Sequence, residues 1–239
     1  MNKLVFDMYM DLHNHTVWSD GEDKPEKIIV NAINHQVEVV GITDHFCNDD
    51  KYALGFEELK VYLNEIDGLR KKYCSIIKVC IGVEIAYSYL LKNFRILPYD
   101  VLNKLDFILL EDLDYIPAIT DLEDVTVLLN GFECSKGLAH TDLIKLAEKY
   151  ENQGSLDYIL DFMQQNDIFW EINTSSAHDA FYNILQPGRY DDRTSSLIDG
   201  ITKRKIHVTV GSDTHSLMQY DFGRLKAANR VKNLLFMGG

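Results

Sequence analysis

One pattern recurs about seven times along the chain: a short apolar run, a polar residue able to bind a metal ion, then an amphipathic stretch. The runs are Met8–Leu12, Val37–Ile42, Ile77–Val83, Leu105–Leu110, Gly137–Ala139, Ile168–Ile172 and Ile206–Val210. Most are too short for helices and are rich in Val and Ile, which favours strands. They are continuously apolar rather than alternating, as expected of strands covered on both faces of a parallel sheet. Helices are predicted over Lys24–His35, Phe56–Lys72, Leu143–Tyr150, Leu156–Gln165, Thr194–Lys203 and Gly223–Leu235. The first should start from Asp23 as N-cap, with Pro25 in its first turn. Strand–helix alternation argues for an α/β fold. Because potential ligands end strands along the whole chain, a barrel is favoured over an open sheet: only a barrel brings every strand C-terminus to one mouth. A chain of 239 residues suits one such domain, spanning residues 1–239.

The polar residues after the runs carry the chemistry. His13-Asn14-His15 follows the first run, and residues two apart on a strand point to the same side. Thr43-Asp44-His45, Gly82-Val83-Glu84, Ala139-His140-Thr141-Asp142, Trp170-Glu171-Ile172-Asn173 and Gly211-Ser212-Asp213-Thr214-His215 end later runs. Five of the eight histidines therefore sit at strand ends, joined there by Glu84 and Asp213. His35 reads as a helix-surface residue and His207 as a structural residue at the far end of its strand; His178 lies in a loop with no assigned role. Imidazole and carboxylate without cysteine suit zinc, manganese or iron. Five imidazoles and several acids exceed the needs of one ion and suit two or three, with Glu84 able to bridge. Clustered divalent ions support hydrolysis of phosphate esters above other chemistries.

Composition narrows the choice. Lys and Arg number 24 against 37 Asp and Glu, a formal net charge of −13, which disfavours long nucleic acids and anionic membranes. No stretch approaches the roughly 18 apolar residues of a membrane span, and no apolar signal core opens the chain. Cys47, Cys74, Cys80 and Cys134 form no CxxC pair and read as free thiols of a reducing cytoplasm.

The segments HNHTVWSDG, GITDH, GVE, AHTDLI, EINTSS and VGSDTH resemble, in order, the motifs of the PHP (polymerase and histidinol phosphatase) family. The resemblance runs from Asp11 to about Gly223. It implies a distorted seven-stranded (β/α)7 TIM-like barrel, up to three metal ions and cleavage of phosphate esters. Carried over, His13, His15, Glu84 and Asp213 match ligands of a first metal. Glu84 and His140 match ligands of a second, and Asp20, His45 and His215 of a third. One position departs from the family: a histidine usual after the fourth strand is replaced, without a gap, by Leu113. Among Glu111, Asp112 and Asp114, Glu111 is the preferred substitute, as the first polar residue off that strand. Glu171 is expected to orient a ligand histidine rather than bind metal.

The function expected from these residues is hydrolysis of a small phosphomonoester, histidinol-phosphate-like compounds included, by a metal-activated hydroxide, with Asp213 and Glu84 as catalytic groups. Arg189 and Arg95 are candidates to contact the phosphate, and Trp18, Tyr87 and Tyr89 to wall the pocket. A nucleotide phosphodiesterase or nuclease, and a non-catalytic metal-binding module, are the alternatives.

Overall fold

Seven strands, all parallel, form a sheet in the order in which they occur in the chain. The computed structural model describes residues 6–47, 51–114, 122–149, 155–177, 181, 184–186 and 188–237. The strands are β1 (Met10–Asp11), β2 (Val39–Ile42), β3 (Lys78–Ala86), β4 (Phe107–Glu111), β5 (Ser135–Leu138), β6 (Ile168–Asn173) and β7 (Val208–Gly211). The helices are α1 (Pro25–Asn34), α2 (Phe56–Tyr73), α3 (Tyr87–Asn93), α4 (Tyr99–Leu102), α5 (Leu122–Leu129), α6 (Leu143–Glu148), α7 (Ser155–Gln165), α8 (Asp192–Arg204) and α9 (Phe222–Met237). This is the seven-stranded α/β barrel expected from the recurring pattern. β2, β6 and β7 are buried along their whole length, which is why their sequences carry no polar alternation.

The barrel closes between its first and last strands. β1 is only two residues long and pairs with β2. Closure is completed by the residues that follow β1: Leu12 N–H donates to Val210 O at 2.8 Å, Asp213 N–H to His13 O at 2.8 Å and His15 N–H to Thr214 O at 2.9 Å. α9 backs this seam. Asn229 is buried, accepts from Met10 N–H at 2.9 Å and donates to Met10 O at 2.9 Å, replacing a ladder partner that so short a strand lacks.

Several local expectations need correction. Asp23 does not cap α1: the N-cap is Lys24, with no side-chain cap, and Asp23 instead accepts from Leu217 N–H at 3.0 Å and from Lys27 Nζ at 3.2 Å. Pro25 alone marks the helix start, its ring pre-setting the backbone. β3 continues to Ala86, so Glu84 lies inside the strand rather than at its end, and Glu111 is the last residue of β4 rather than the first beyond it. α3, α4 and α5 escape a pattern reading because they are short, and α5 (LEDVTVLL) is rich in β-branched residues. The better-marked helices carry clear signals: Asp142 caps α6, accepting from Ile144 and Lys145 N–H, and Asp191 caps α8 through Thr194 N–H.

Asn229→Leu should destabilise the protein by about 2–4 kcal/mol, since it strands both polar groups of Met10 in the core. Urea unfolding measures the change; a loss under about 0.5 kcal/mol would show that the seam does not depend on Asn229.

Candidate metal centre

Strand C-termini deliver the ligand-type side chains to one place. His13 and His15 leave β1, Asp20 lies on the loop before α1, His45 follows β2, Glu84 points from β3 and Glu111 ends β4. His140 follows β5, and Asp213 and His215 follow β7. His13, His15 and Glu84 are almost wholly buried.

The tightest group surrounds the two Nε2 atoms of the HxH pair. His13 Nε2 lies 3.0 Å from His15 Nε2, 3.2 Å from Glu84 Oε2 and 3.7 Å from Asp213 Oδ1. His15 Nε2 lies 3.3 Å from both Glu84 Oε2 and Asp213 Oδ1. The edges of a tetrahedron of N and O ligands around zinc measure about 3.3–3.4 Å, from metal–ligand bonds near 2.0–2.1 Å. His13 Nε2, His15 Nε2 and Asp213 Oδ1 lie close enough together to share one ion, with Glu84 Oε2 beside both imidazoles. His15 Nδ1 supplies a second sign: it is buried, accepts or donates no hydrogen bond, and lies 3.6 Å from Asp20 Oδ1.

Two further groups adjoin the first. Asp20 Oδ2 lies 3.2 Å from His215 Nε2 and 3.8 Å from His45 Nε2, and the His15 and His215 rings stack with centroids 4.1 Å apart. On the other side, Glu84 Oε1 lies 3.0 Å from His140 Nε2, while Glu84 Oε2 lies 3.3 Å from His45 Nδ1. Glu111 Oε1 is 3.5 Å from that same His45 Nδ1. The acid at the departed position thus enters the cluster, and it enters beside His45 and Glu84. Leu113, the ungapped counterpart of the family's histidine, is fully buried as a core residue.

A ring of hydrogen bonds sets these groups. Glu171, fully buried, accepts from His13 Nδ1–H through Oε1 at 2.9 Å, so His13 Nε2 faces the cluster. Its Oε2 accepts from His140 N–H at 2.8 Å and from Asn173 Nδ2 at 3.2 Å. Gly211 makes room for it: a Cβ there would overlap Glu171 Oε1 and His13 Cβ. His140 (φ 30°) and Asp213 (φ 53°) adopt left-handed backbone that non-glycine residues seldom take.

Two structuring acids lie outside the sequence-derived set. Asp44 is buried and accepts from Thr16 N–H (2.7 Å), Thr16 Oγ1 (2.9 Å) and Ser19 Oγ (2.7 Å), which folds the loop that presents Asp20. Asp11 is buried and accepts from Ser212 N–H at 2.8 Å and Ser212 Oγ at 2.9 Å. The available signal was chemical: a buried carboxylate needs donors, and Thr16, Ser19 and Ser212 stand in the adjoining polar loops. Other sequence candidates make contacts of their own. Arg189 is exposed, and its N–H donates to Gln186 O at 3.1 Å; Arg95 is exposed and lies over the Phe94 ring at 5.3 Å. Tyr87 and Tyr89 are buried core residues, whereas Trp18 is half-buried and donates to Glu65 at 3.0 Å. His35 is exposed and stacks on Phe222, and His207 stacks on Phe6. His178 lies outside the described residues.

Charge in the cluster is mutually stabilised. Burial acts to lower the His13 imidazolium pKa, but Glu84, Glu171 and Asp213 outweigh it and hold it well above the usual value. Burial likewise opposes protonated His140, yet Glu84 beside it raises the group to about 9. Burial would raise Glu84, but His13, His140 and His15 pull it well below the carboxylate range. Against partial burial, His215, His15 and His45 bring Asp20 down to about 2. Burial and the Glu84 charge raise Glu111, against the pull of His45. Without a metal, protons on the imidazoles serve as the counter-charge; a divalent ion would displace them.

Comparison with known proteins came out consistently. The PHP domain family profile matches residues 11–175. A histidinol-phosphatase of Lactococcus lactis subsp. lactis is 24% identical over 236 residues, covering 86% of this chain and 84% of the relative. The crystal structure of histidinol phosphate phosphatase from Lactococcus lactis, complexed with zinc, L-histidinol and phosphate, superposes with a TM-score of 0.63 at 20% identity. That match covers 95% of this chain and 94% of the other. A putative histidinol phosphatase from Listeria monocytogenes superposes with a TM-score of 0.59 at 16% identity, covering 90% and 98%. At such identities the superpositions show a shared fold.

The proton-bearing imidazoles lead to a pH prediction. Raised histidine pKa values stabilise the metal-free protein fully below about pH 6.5, and that contribution is lost as pH rises through the folded values, about 9 for His140. Scanning calorimetry of chelator-treated protein should show Tm falling across that window, with the zinc-loaded protein flat. Zinc titrations in two buffers of different ionisation enthalpy should report net proton release at pH 7; none would mean the imidazoles were already neutral. Glu171→Gln, which loses the charge behind His13, should weaken zinc binding roughly 10–100-fold, and unchanged affinity would remove Glu171 from the site.

Proposed function

The chain belongs to the PHP domain family, and on that premise we propose that it is a metal-dependent phosphatase acting on a small phosphomonoester of the histidinol-phosphate type. The observation that carries the reading is the trio of His13 Nε2, His15 Nε2 and Asp213 Oδ1, whose separations of 3.0–3.7 Å suit ligands of one ion, with Glu84 Oε2 3.2–3.3 Å from both imidazoles. His13, His15, Glu84 and Asp213 would hold a first ion, and Asp20, His45 and His215 another. Glu84, through its second oxygen, would hold a further one with His140, Glu111 adding a carboxylate from the His45 side. Divalent zinc, manganese or iron bound there supplies Lewis acidity and lowers the pKa of water.

The chain's own groups do the rest. Glu171 fixes the His13 tautomer, so that Nε2 rather than Nδ1 faces the mouth. Glu84 joins the groups through two oxygens and keeps them at one spacing. Asp213, held in left-handed backbone, presents Oδ1 between the two imidazoles and is placed to take the proton of an attacking water. The name of the similar Lactococcus lactis protein supports histidinol phosphate as the substrate to try first. The acidic chain, at −13, supports a small ester over a polymer. Among the described residues no helix is long and apolar enough to cross a membrane. The four cysteines are free, which supports a cytoplasmic setting.

Purified protein should hydrolyse histidinol phosphate and p-nitrophenyl phosphate with manganese or zinc, turn over bis-p-nitrophenyl phosphate far more slowly, and lose activity to chelator. Asp213→Asn should lower kcat/KM roughly 100-fold or more. No turnover of any monoester under any divalent metal would overturn the proposal.

A further inference from the structure

Asp11 is a buried carboxylate that coordinates nothing in the cluster and, among the described residues, forms no ion pair with a Lys or Arg. Such a group is unfavourable in a core unless donors satisfy it. Its donors come from two ends of one segment. Ser212 donates from N–H to Oδ1 at 2.8 Å and lies with Oγ 2.9 Å from Oδ2. Tyr220 donates its hydroxyl to the same Oδ2. Between Ser212 and Tyr220 stand Asp213 and His215.

We propose that Asp11 is a positioning residue for the metal centre: by gripping Ser212 and Tyr220 with one carboxylate, it closes segment 212–220 into a clamp that presents Asp213 and His215. The middle of the clamp is tied elsewhere. Glu22 N–H donates to His215 O at 2.8 Å, Ser216 Oγ to Glu22 at 2.7 Å and Leu217 N–H to Asp23 at 3.0 Å, all on the loop after Asp20. Asp213 keeps its left-handed φ of 53° because its N–H is held by His13 O at 2.8 Å while the residue before it is held by Asp11. The segment that leaves β1 thus supplies His13 and His15, and β1 itself governs the placement of Asp213 and His215 through Asp11. The inference rests on the metal reading proposed above.

Tyr220→Phe removes one hydroxyl and keeps the ring packed against Phe222 at 4.2 Å. Zinc affinity is measured by competition with a chromophoric chelator, on protein shown by far-UV circular dichroism to be folded. The expected result is binding weakened roughly 10–100-fold, the range for groups that orient metal ligands. Leu197→Ala, buried in α8, is the control: it should lower Tm yet bind zinc as the parent does. Parental zinc affinity in folded Tyr220→Phe overturns the clamp and leaves the metal centre standing. A parent that binds no zinc overturns both. Should Tyr220→Phe not fold, Ser212→Ala, which keeps the backbone donor and loses the hydroxyl, is read in the same way, parental affinity again overturning the clamp.

Discussion

Everything at the mouth depends on one buried carboxylate held among imidazoles. Glu84 is 1% exposed and has His13, His15 and His45 against one oxygen and His140 against the other. A lone carboxylate at that depth would be protonated or excluded. The imidazoles around it favour its ionised form, and it in turn, together with Glu171, Asp213 and Glu111, favours their protonated forms. The mutual dependence makes the centre cooperative: its members stabilise one another as a unit, and any group removed leaves the others with buried, uncompensated charge. A divalent ion answers the same need with better geometry, because it satisfies several lone pairs at once.

That arrangement explains why the barrel closes as it does. The first strand is too short to close a barrel by ladder pairing alone. The chain beyond it continues the seam with hydrogen bonds to Val210, Asp213 and Thr214. The residues that complete the seam are therefore the ones that bring His13 and His15 to Asp213 and His215, about 200 positions away in the sequence. Short strand, buried Asn229 and buried Asp11 belong to one solution: the ladder is replaced by side chains where its backbone is needed for the site.

How much of this could be read beforehand follows from what each feature depends on. Strands covered on both faces leave a local mark, an unbroken apolar run, and all seven runs overlap an observed strand. Histidines confined to strand ends leave a mark as well, and His13, His15, His45, His140 and His215 do converge. Features set by contacts distant in sequence leave none. Asp23 has the chemistry of an N-cap but is drawn off by Leu217, and Asp11 and Asp44 look like ordinary strand-end acids until Ser212 and Thr16 are beside them. Glu111 could be singled out as the first acid near that departure, but its neighbour could not: the fold sets it 3.5 Å from His45.

The acidity of the chain takes on a different meaning in this light. A formal charge of −13 argues against a phosphate-bearing partner if the acids are spread over the surface. Here Glu84, Asp213, Asp20, Glu111 and Glu171 are gathered at the strand ends among five imidazoles, where they create affinity for cations instead. Divalent ions held there would reverse the local sign without altering the outer surface. A small phosphate ester can reach such a centre and pair with it directly. A long polyanion would also have to lie along the surface of a chain whose net charge is −13. An acidic composition that disfavours polymeric phosphates is thus compatible with a monoester, because the charge that would select it is local to the mouth.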